Sequence, residues 1–266
     1  MPKISDQDYL RDDQYKDASN LNARIRLHVE FSTNRYGWFR WVFDQYELPT
    51  RARVLELGCG PGDLWFENID RIPEGWEISL SDFSPGMLNQ AWEKLVYQSH
   101  PFNFEIIDAQ SIPYEADYFD MVIANHFLYH VPDRPKAIAE IRRVLIPDGR
   151  FYTTTIGINH MKELPDLVAR FDPDDSTFLK SEDVPFTMEN GETQIRDCFS
   201  KVEKRCYQDE LRVTNVNVLV DYVFSGMRVG LEESHRDEFT TFLNQEMIAN
   251  GGVIHIQKDS GIFLAR

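Results

Sequence analysis

Three glycines at alternate positions, Gly58, Gly60 and Gly62, break an apolar run at residues 54–57, and an acidic side chain, Glu56, stands two residues ahead of the first. A strand that runs into a glycine turn and then a helix brings backbone N–H groups up to a ligand with no side chain in the way. A second apolar stretch, residues 78–81, ends in Asp82, where a carboxylate can accept both hydroxyls of a ribose. The pair describes a nucleotide-like ligand at the switch point of a doubly wound sheet. A third group, His126, Tyr129 and His130, follows an apolar strand pattern at residues 117–125. Histidine titrates near neutral pH and is the usual proton acceptor in such a place.

The glycine spacing discriminates between ligands. The dinucleotide pattern G-x-G-x-x-G requires a glycine at position 63, which holds Asp63. That argues against a nicotinamide oxidoreductase. The observed order, Glu56 and then G-x-G-x-G, resembles motif I of the class I S-adenosylmethionine (SAM)-dependent methyltransferases, in their small-molecule, type 11/25-like branch. The resemblance continues over about residues 50–157. Residues 104–108 look like the third strand ending in an acid, and DYFDMVIAN at 117–125 is similar to the fourth. HFLYHV at 126–131, a helix at 134–145, the turn PDGR at 147–150 and a fifth strand at 150–156 follow in order.

That resemblance implies an α/β, Rossmann-like doubly wound sheet of seven strands, mostly parallel with an antiparallel last strand, carrying helical lid elements. It implies SAM as cofactor and S-adenosylhomocysteine as product. By the same resemblance Gly58, Gly60 and Gly62 admit the methionine part, with Cys59 a small residue fitted between them. Glu56 bonds the loop or the SAM amino group, Asp82 binds the ribose and Phe83 flanks adenine. Asp108 and Ala109 read the adenine edge, and the Asn125 backbone carbonyl faces the amino group. Methyl transfer is an in-line displacement for which the cofactor supplies the reactivity and the protein the alignment. A base assists when the acceptor must lose a proton; His126, Tyr129 and His130 are the candidates. His130 reads as packing its turn rather than as the base, and His126 stays open between the two roles. No zinc spacing, metal-binding acidic cluster or N-P-P-Y/F motif is present. The acceptor is therefore expected to be a small molecule methylated at O, N, S or C. A SAM-binding module without turnover is the competing reading.

The elements that must position these groups follow from periodicity. Residues 21–31 read as an amphipathic helix, with Leu21, Ile25, Leu27 and His28 on one broad face, and 36–48 as a second helix dense in aromatics. Of these, Phe39 and Phe43 read as core, and Tyr36 and Trp38 stay open. Residues 1–48 are expected to be a lid or cap, polar and mobile over 1–20, and 49–266 the catalytic domain with helical insertions at about 157–188 and 214–250. Residues 64–72 and 189–199 read as helices, as do 216–229 and 236–248. Residues 201–213 read as one strand, and 253–257 and 261–265 as strand material.

The chain has 266 residues, 42% of them hydrophobic, and a net charge of −16. Such a surface repels polyanions, so no nucleic-acid partner is expected. Its three cysteines form no disulfide framework. With no signal peptide or apolar span in view, the expectations are a cytoplasmic protein with no membrane partner, as a monomer or homodimer.

Overall fold

The computed structural model describes residues 3–47, 49–173, 183–225 and 231–266. Its main sheet is built from β1 (Arg51–Leu57), β2 (Gly75–Asp82), β3 (Phe102–Ile106), β4 (Phe119–Asn125), β5 (Leu145–Ile156), β6 (Val202–Tyr207) and β9 (Ser260–Ala265). The strand order is β3-β2-β1-β4-β5-β9-β6. β1 pairs in parallel with both β2 and β4, so the winding reverses between β1 and β4, and a crevice opens at their carboxyl ends. β9 runs antiparallel to β5 and β6, as expected for the last strand.

The central strands are apolar on both faces because both faces are covered. Leu55, Leu57, Val122 and Ala124 pack with Ile138 and Ile141 of α6 (Arg134–Val144) on one side. Val54, Ile78, Leu80 and Ile123 pack on the other with Val42 and Phe43 of α3 (Trp38–Phe43) and Trp65 of α4 (Asp63–Phe66). α5 (Pro85–Leu95) starts where the sequence signals: Ser84 caps it by accepting from the Met87 N–H at 3.2 Å, and Pro85 fills its first turn.

A second apolar cluster lies in the lid. Leu27 of α2 (Ser19–Phe31) joins Leu164 and Val168 of α7 (Glu163–Phe171) and Leu219 and Val223 of α9 (Val216–Phe224). Phe239 and Leu243 of α10 (Arg236–Ala249) complete it, over β7 (Glu210–Val213) and β8 (Ile254–Gln257). The stretch expected as one strand over 201–213 is two, β6 and β7. Even so, Tyr207 faces Ser260 and Glu210 faces Gln257, so β6–β7 and β8–β9 keep one register across the break. The break is occupied by Lys258 and Asp209, whose side chains are 6% and 0% exposed and meet at 2.6 Å. Asp209 also accepts from the Ser32 hydroxyl at 2.5 Å and the Asn34 N–H at 2.9 Å, which ties the end of α2 to the ribbon.

Other boundaries also move. The third strand is Phe102–Ile106 rather than 104–108, so Asp108 follows the strand instead of ending it. The fourth begins at Phe119 because Asp117 takes φ 57°, a turn conformation. The expected helix 36–48 is confined to Trp38–Phe43, and its expected end at Leu48 lies outside the described residues. The helix expected over 64–72 divides into α4 and a 3-10 turn at Ile69–Arg71, and that expected over 189–199 is α8 (Gly191–Arg196). The expected helix 216–229 is described only to Phe224, with residues 226–230 outside the described set. Residues 1–20, expected to be mobile, form helical turns from Lys3 onward: Lys3–Ser5, α1 (Gln7–Tyr9) and Leu10–Gln14. Ile4 and Leu10 are buried against the rest of the fold, which is why this polar-looking segment is docked. Among the described residues no helix is long and apolar enough to cross a membrane.

The Lys258–Asp209 pair makes a stability prediction. Removing one partner of a buried pair leaves an uncompensated charge and costs ~3–5 kcal/mol. Lys258→Met is expected to lower the urea-unfolding free energy by about that amount, and an unchanged midpoint would show that the pair does not hold the ribbon.

Candidate functional site

β1 ends in the glycine turn, and its three glycines have three different reasons. All take positive φ, 69° at Gly58, 54° at Gly60 and 78° at Gly62. A Cβ at Gly58 would lie 2.5 Å from the Phe127 ring, so this glycine admits the residues after β4. A Cβ at Gly62 would lie 2.8 Å from Leu95 Cδ1, so this one admits α5. At Gly60 the nearest neighbour would be Leu21 Cδ2 at 3.7 Å; only here does the backbone face free space. That space is a cavity of about 780 Å³ enclosed by the carboxyl ends of the strands, the N-terminal segment and the lid helices. Such a volume suits a cofactor together with a small ligand.

Two carboxylates, Asp82 half-buried and Glu56 buried, form its sheet-side wall. Asp82 Oδ2 accepts from the Gly60 N–H at 3.0 Å and Oδ1 from the Ser84 N–H at 2.8 Å. It therefore clamps the glycine turn to the end of β2 while bordering the cavity. Burial pushes its carboxyl up to about 6, opposed by these N–H bonds. Glu56 Oε2 accepts from Trp65 Nε1 at 2.5 Å and Oε1 from Asn125 Nδ2 at 3.0 Å. Burial raises it to about 7, again against its hydrogen bonds. The Asn125 Oδ1 atom is buried with no protein partner. Burial also raises the Cys59 thiol well above its ordinary value, so Cys59 is a fitted residue rather than a nucleophile.

The cofactor candidates converge. Glu56, Gly58, Cys59, Gly60, Asp82, Phe83, Asp108, Ala109 and Asn125 all border the cavity, and Gly62 alone does not, because it packs on α5. Asp108 is half-buried, with Oδ1 accepting from the Gln110 N–H at 2.9 Å. His126, Tyr129 and His130 border it too. His126 has φ 47°, its N–H donates to the Thr154 carbonyl at 3.1 Å, and its ring lies 5.1 Å from Trp38. Burial lowers its proton affinity to about 4, so the ring is neutral at pH 7. His130 Nδ1 lies 2.7 Å from the Ile4 carbonyl, an acceptor only, so Nδ1 carries the proton and Nε2 accepts from the Tyr15 hydroxyl at 3.0 Å. The two aromatics left open, Tyr36 and Trp38, both border the cavity; Trp38 packs on His126, whereas Tyr36 is exposed at its rim and its hydroxyl donates to Asp44 at 2.6 Å. Among the described residues no group of three or more metal-type side chains gathers.

Two details of the lid expected over residues 1–48 go beyond that expectation. The first is how its N-terminal part docks: Arg11 sits 5.8 Å from the Phe83 ring centroid, and Ser84 Oγ donates to the Tyr15 carbonyl at 2.7 Å. A Cβ at Gly86 would lie 1.9 Å from the Lys16 carbonyl, so a glycine is required for that docking. The second is Arg24, one turn ahead of His28 on α2. Helical spacing places both on one face, and that spacing was the available signal.

A donor with ammonium and sulfonium cations, a ribose diol and an adenine matches this wall. Gly60 leaves backbone room, Glu56 and the Asn125 oxygen offer acceptors for a cation, and Asp82 stands where a sugar would meet β2. Linkage makes the match testable. The Glu56 carboxyl has a folded value near 7 against an ordinary 4.5, so its neutral form adds stability in full below about pH 4.5, and that contribution is lost as pH rises through about 7. A cation bound beside it favours the charged form and expels the proton. S-adenosylhomocysteine, whose ammonium is cationic, is expected to release protons on binding near pH ~6.5, read by calorimetry in buffers of differing ionisation enthalpy, and Glu56→Gln should abolish most of that release. Binding with no proton exchange would refute the assignment. Asp82→Ala is expected to weaken the same binding by ~1.5–3 kcal/mol, whereas an unchanged dissociation constant would remove Asp82 from the sugar site.

Comparison with known proteins agrees with the geometry. Residues 55–153 match the family described as a methyltransferase domain. A demethylmenaquinone methyltransferase of Lactobacillus johnsonii is 32% identical over 144 residues, 51% of this chain and 59% of that protein. The ubiquinone/menaquinone biosynthesis C-methyltransferase UbiE of Pectobacterium atrosepticum is 30% identical over 129 residues, 48% of this chain and 51% of that protein. The chain thus spans a little over half the length of these relatives. Phosphoethanolamine N-methyltransferase 2 of Haemonchus contortus, solved with S-adenosyl-L-methionine, superposes with a TM-score of 0.59 at 17% identity, over 97% of this chain and 59% of that one, a likeness of fold. On the glycine turn, the strand order and the match together, residues 55–153 form a methyltransferase domain similar to those of the class I, SAM-dependent enzymes.

Proposed function

We propose that the protein transfers a methyl group from SAM to a small-molecule acceptor held in the lid half of the cavity. The observation that carries this reading is that one continuous cavity joins the free backbone face at Gly60 to an aromatic wall of Trp38, His126 and Tyr129. Bound SAM supplies an activated methyl group. The protein's part is to align acceptor and donor and to exclude water, and well-oriented reactants gain ~7–11 kcal/mol from alignment alone. The N-terminal segment and lid helices provide the exclusion.

His126 is neutral at pH 7 and weakly basic, a hydrogen-bond partner that orients an acceptor rather than a store for its proton. His130 spends both ring nitrogens on Ile4 and Tyr15 and holds the N-terminal segment down. Tyr129 stacks edge-on against His130 at 4.5 Å and presents its ring to the acceptor. The relatives named for quinone C-methylation make an aromatic acceptor activated by a neighbouring hydroxyl the first class to try, and the aromatic wall suits one.

Incubation with radiolabelled SAM and a panel of phenolic and quinol acceptors tests the reading. Label is expected to move to an acceptor with formation of S-adenosylhomocysteine. Tight cofactor binding with no transfer to any acceptor class would favour the module without turnover. In the active pair, His126→Ala is expected to lower kcat by up to ~100-fold, the order that lost alignment costs. At saturating SAM the wild-type kcat should show no ionisation between about pH 6 and 8 from this residue. A sigmoid rise there that His126→Ala removes would make it a true general base.

A further inference from the structure

The cavity is electrostatically divided, and its lid half holds a charge with no counter-charge. Glu56 and Asp82 lie on the sheet side. Of the other cations that border the cavity, Lys258 is paired with Asp209, Arg11 with Asp8 and Asp12, and Arg35 and Arg40 are exposed to solvent. Arg24 is different. Its Nε donates to the Asn20 carbonyl at 3.2 Å, its guanidinium carbon lies 5.5 Å from the centre of the Tyr15 ring, and its Nη2 is buried with no hydrogen-bond partner. Burial opposes its charge, and the groups that support it are the phenols of Tyr15, Tyr222 and Tyr129, not a carboxylate. One turn along α2, His28 Nδ1 is likewise buried and unpartnered, with its ring 5.9 Å from that of Tyr222. Burial drops His28 to about 3, so it stands neutral, able to present an N–H.

All of these groups border the same cavity as the glycine turn. A protein of net charge −16 has carboxylates to spare, yet none is placed at Arg24 among the described residues. A buried guanidinium is tolerated when a partner arrives with the ligand, and its planar fork matches an oxyanion through paired N–H donors.

We propose that the methyl acceptor carries a compact oxyanion, a carboxylate or a phosphate monoester, which Arg24 grips at the lid end of the cavity with His28 and the Tyr15, Tyr129 and Tyr222 hydroxyls around it. This rests on the methyltransferase reading for the word acceptor; the anion site itself does not. Arg24 sets specificity by pairing with the far end of the molecule, which leaves the reacting end near Trp38 and His126. The division of charge places the cationic donor against the carboxylates and the anionic acceptor against Arg24, which favours loading both at once.

The test is calorimetric titration of the full chain, with and without S-adenosylhomocysteine, using benzoate, phenyl phosphate and the neutral isostere benzamide. At least one anion is expected to bind ten-fold or more tighter than benzamide, and which of the two wins assigns carboxylate or phosphate. Arg24→Met should erase the preference to within about three-fold and raise the Tm of the unliganded protein, because an apolar side chain no longer leaves a buried charge unpaired. A merely structural Arg24 would instead lower the Tm and keep the preference. Equal binding of benzoate, phenyl phosphate and benzamide to the wild type, no binding of any of them at millimolar concentration, or a preference that survives Arg24→Met would each overturn the proposal. Should Arg24→Met fail to fold, the wild-type comparison still decides. Failure of S-adenosylhomocysteine to bind would count against the methyltransferase reading alone, since the anion preference is also measured without it.

Discussion

Everything at the mouth of the sheet depends on how one carboxylate is bonded. Asp82 takes the Gly60 N–H on one oxygen and the Ser84 N–H on the other, so the turn after β1 and the start of α5 hang from the end of β2. The clamp joins the bond from the Cys59 N–H to the Ser81 carbonyl at 2.9 Å in holding three left-handed glycines, which gain no rigidity from side chains of their own. With it, the backbone at Gly60 is held open toward the cavity. The same burial that makes the clamp firm leaves Asp82 and Glu56 reluctant to ionise until a cation arrives. Rigidity and a wall that a cation would favour thus come from one arrangement.

The lid is a second body with its own apolar core, and it is fastened at few points. Asp209 collects Lys258, Ser32 and Asn34 at the ribbon, while His130 collects Ile4 and Tyr15 at the N-terminal segment. These polar latches are directional, so they fix where the lid sits, whereas the apolar cluster of Leu27, Leu164, Leu219 and Phe239 supplies its cohesion. His130 is thus an anchor for the N-terminal segment, and sequence spacing has no means of separating that use from catalysis.

How much was legible follows from how local each signal is. The glycine turn, Asp82 and the helix start at Ser84-Pro85 depend on neighbours within a few residues, and all were readable. Gly62 was read as a ligand contact because its spacing matched, but whether a missing Cβ makes room for a ligand or for Leu95 depends on a helix twenty-odd residues on. The docking of residues 3–14 was missed because two buried apolar residues, Ile4 and Leu10, are diluted among charges. The break between Tyr207 and Glu210 has as its local trace the polar run at residues 208–210, which reads equally well as the exposed part of one strand. Arg24 was passed over because only the tertiary packing of α2 reveals that its charge has no mate.

The ribbon that links lid to sheet carries one more implication. Because pairing resumes in the same register beyond Gln208 and Asp209, β6 and β9 behave as the stem of a long hairpin whose head is the helical lid. A stem closed on itself is indifferent to the size of its head. Whatever lies between Val213 and Ile254 is thus free to be lengthened, shortened or exchanged without sliding a single residue of the central sheet.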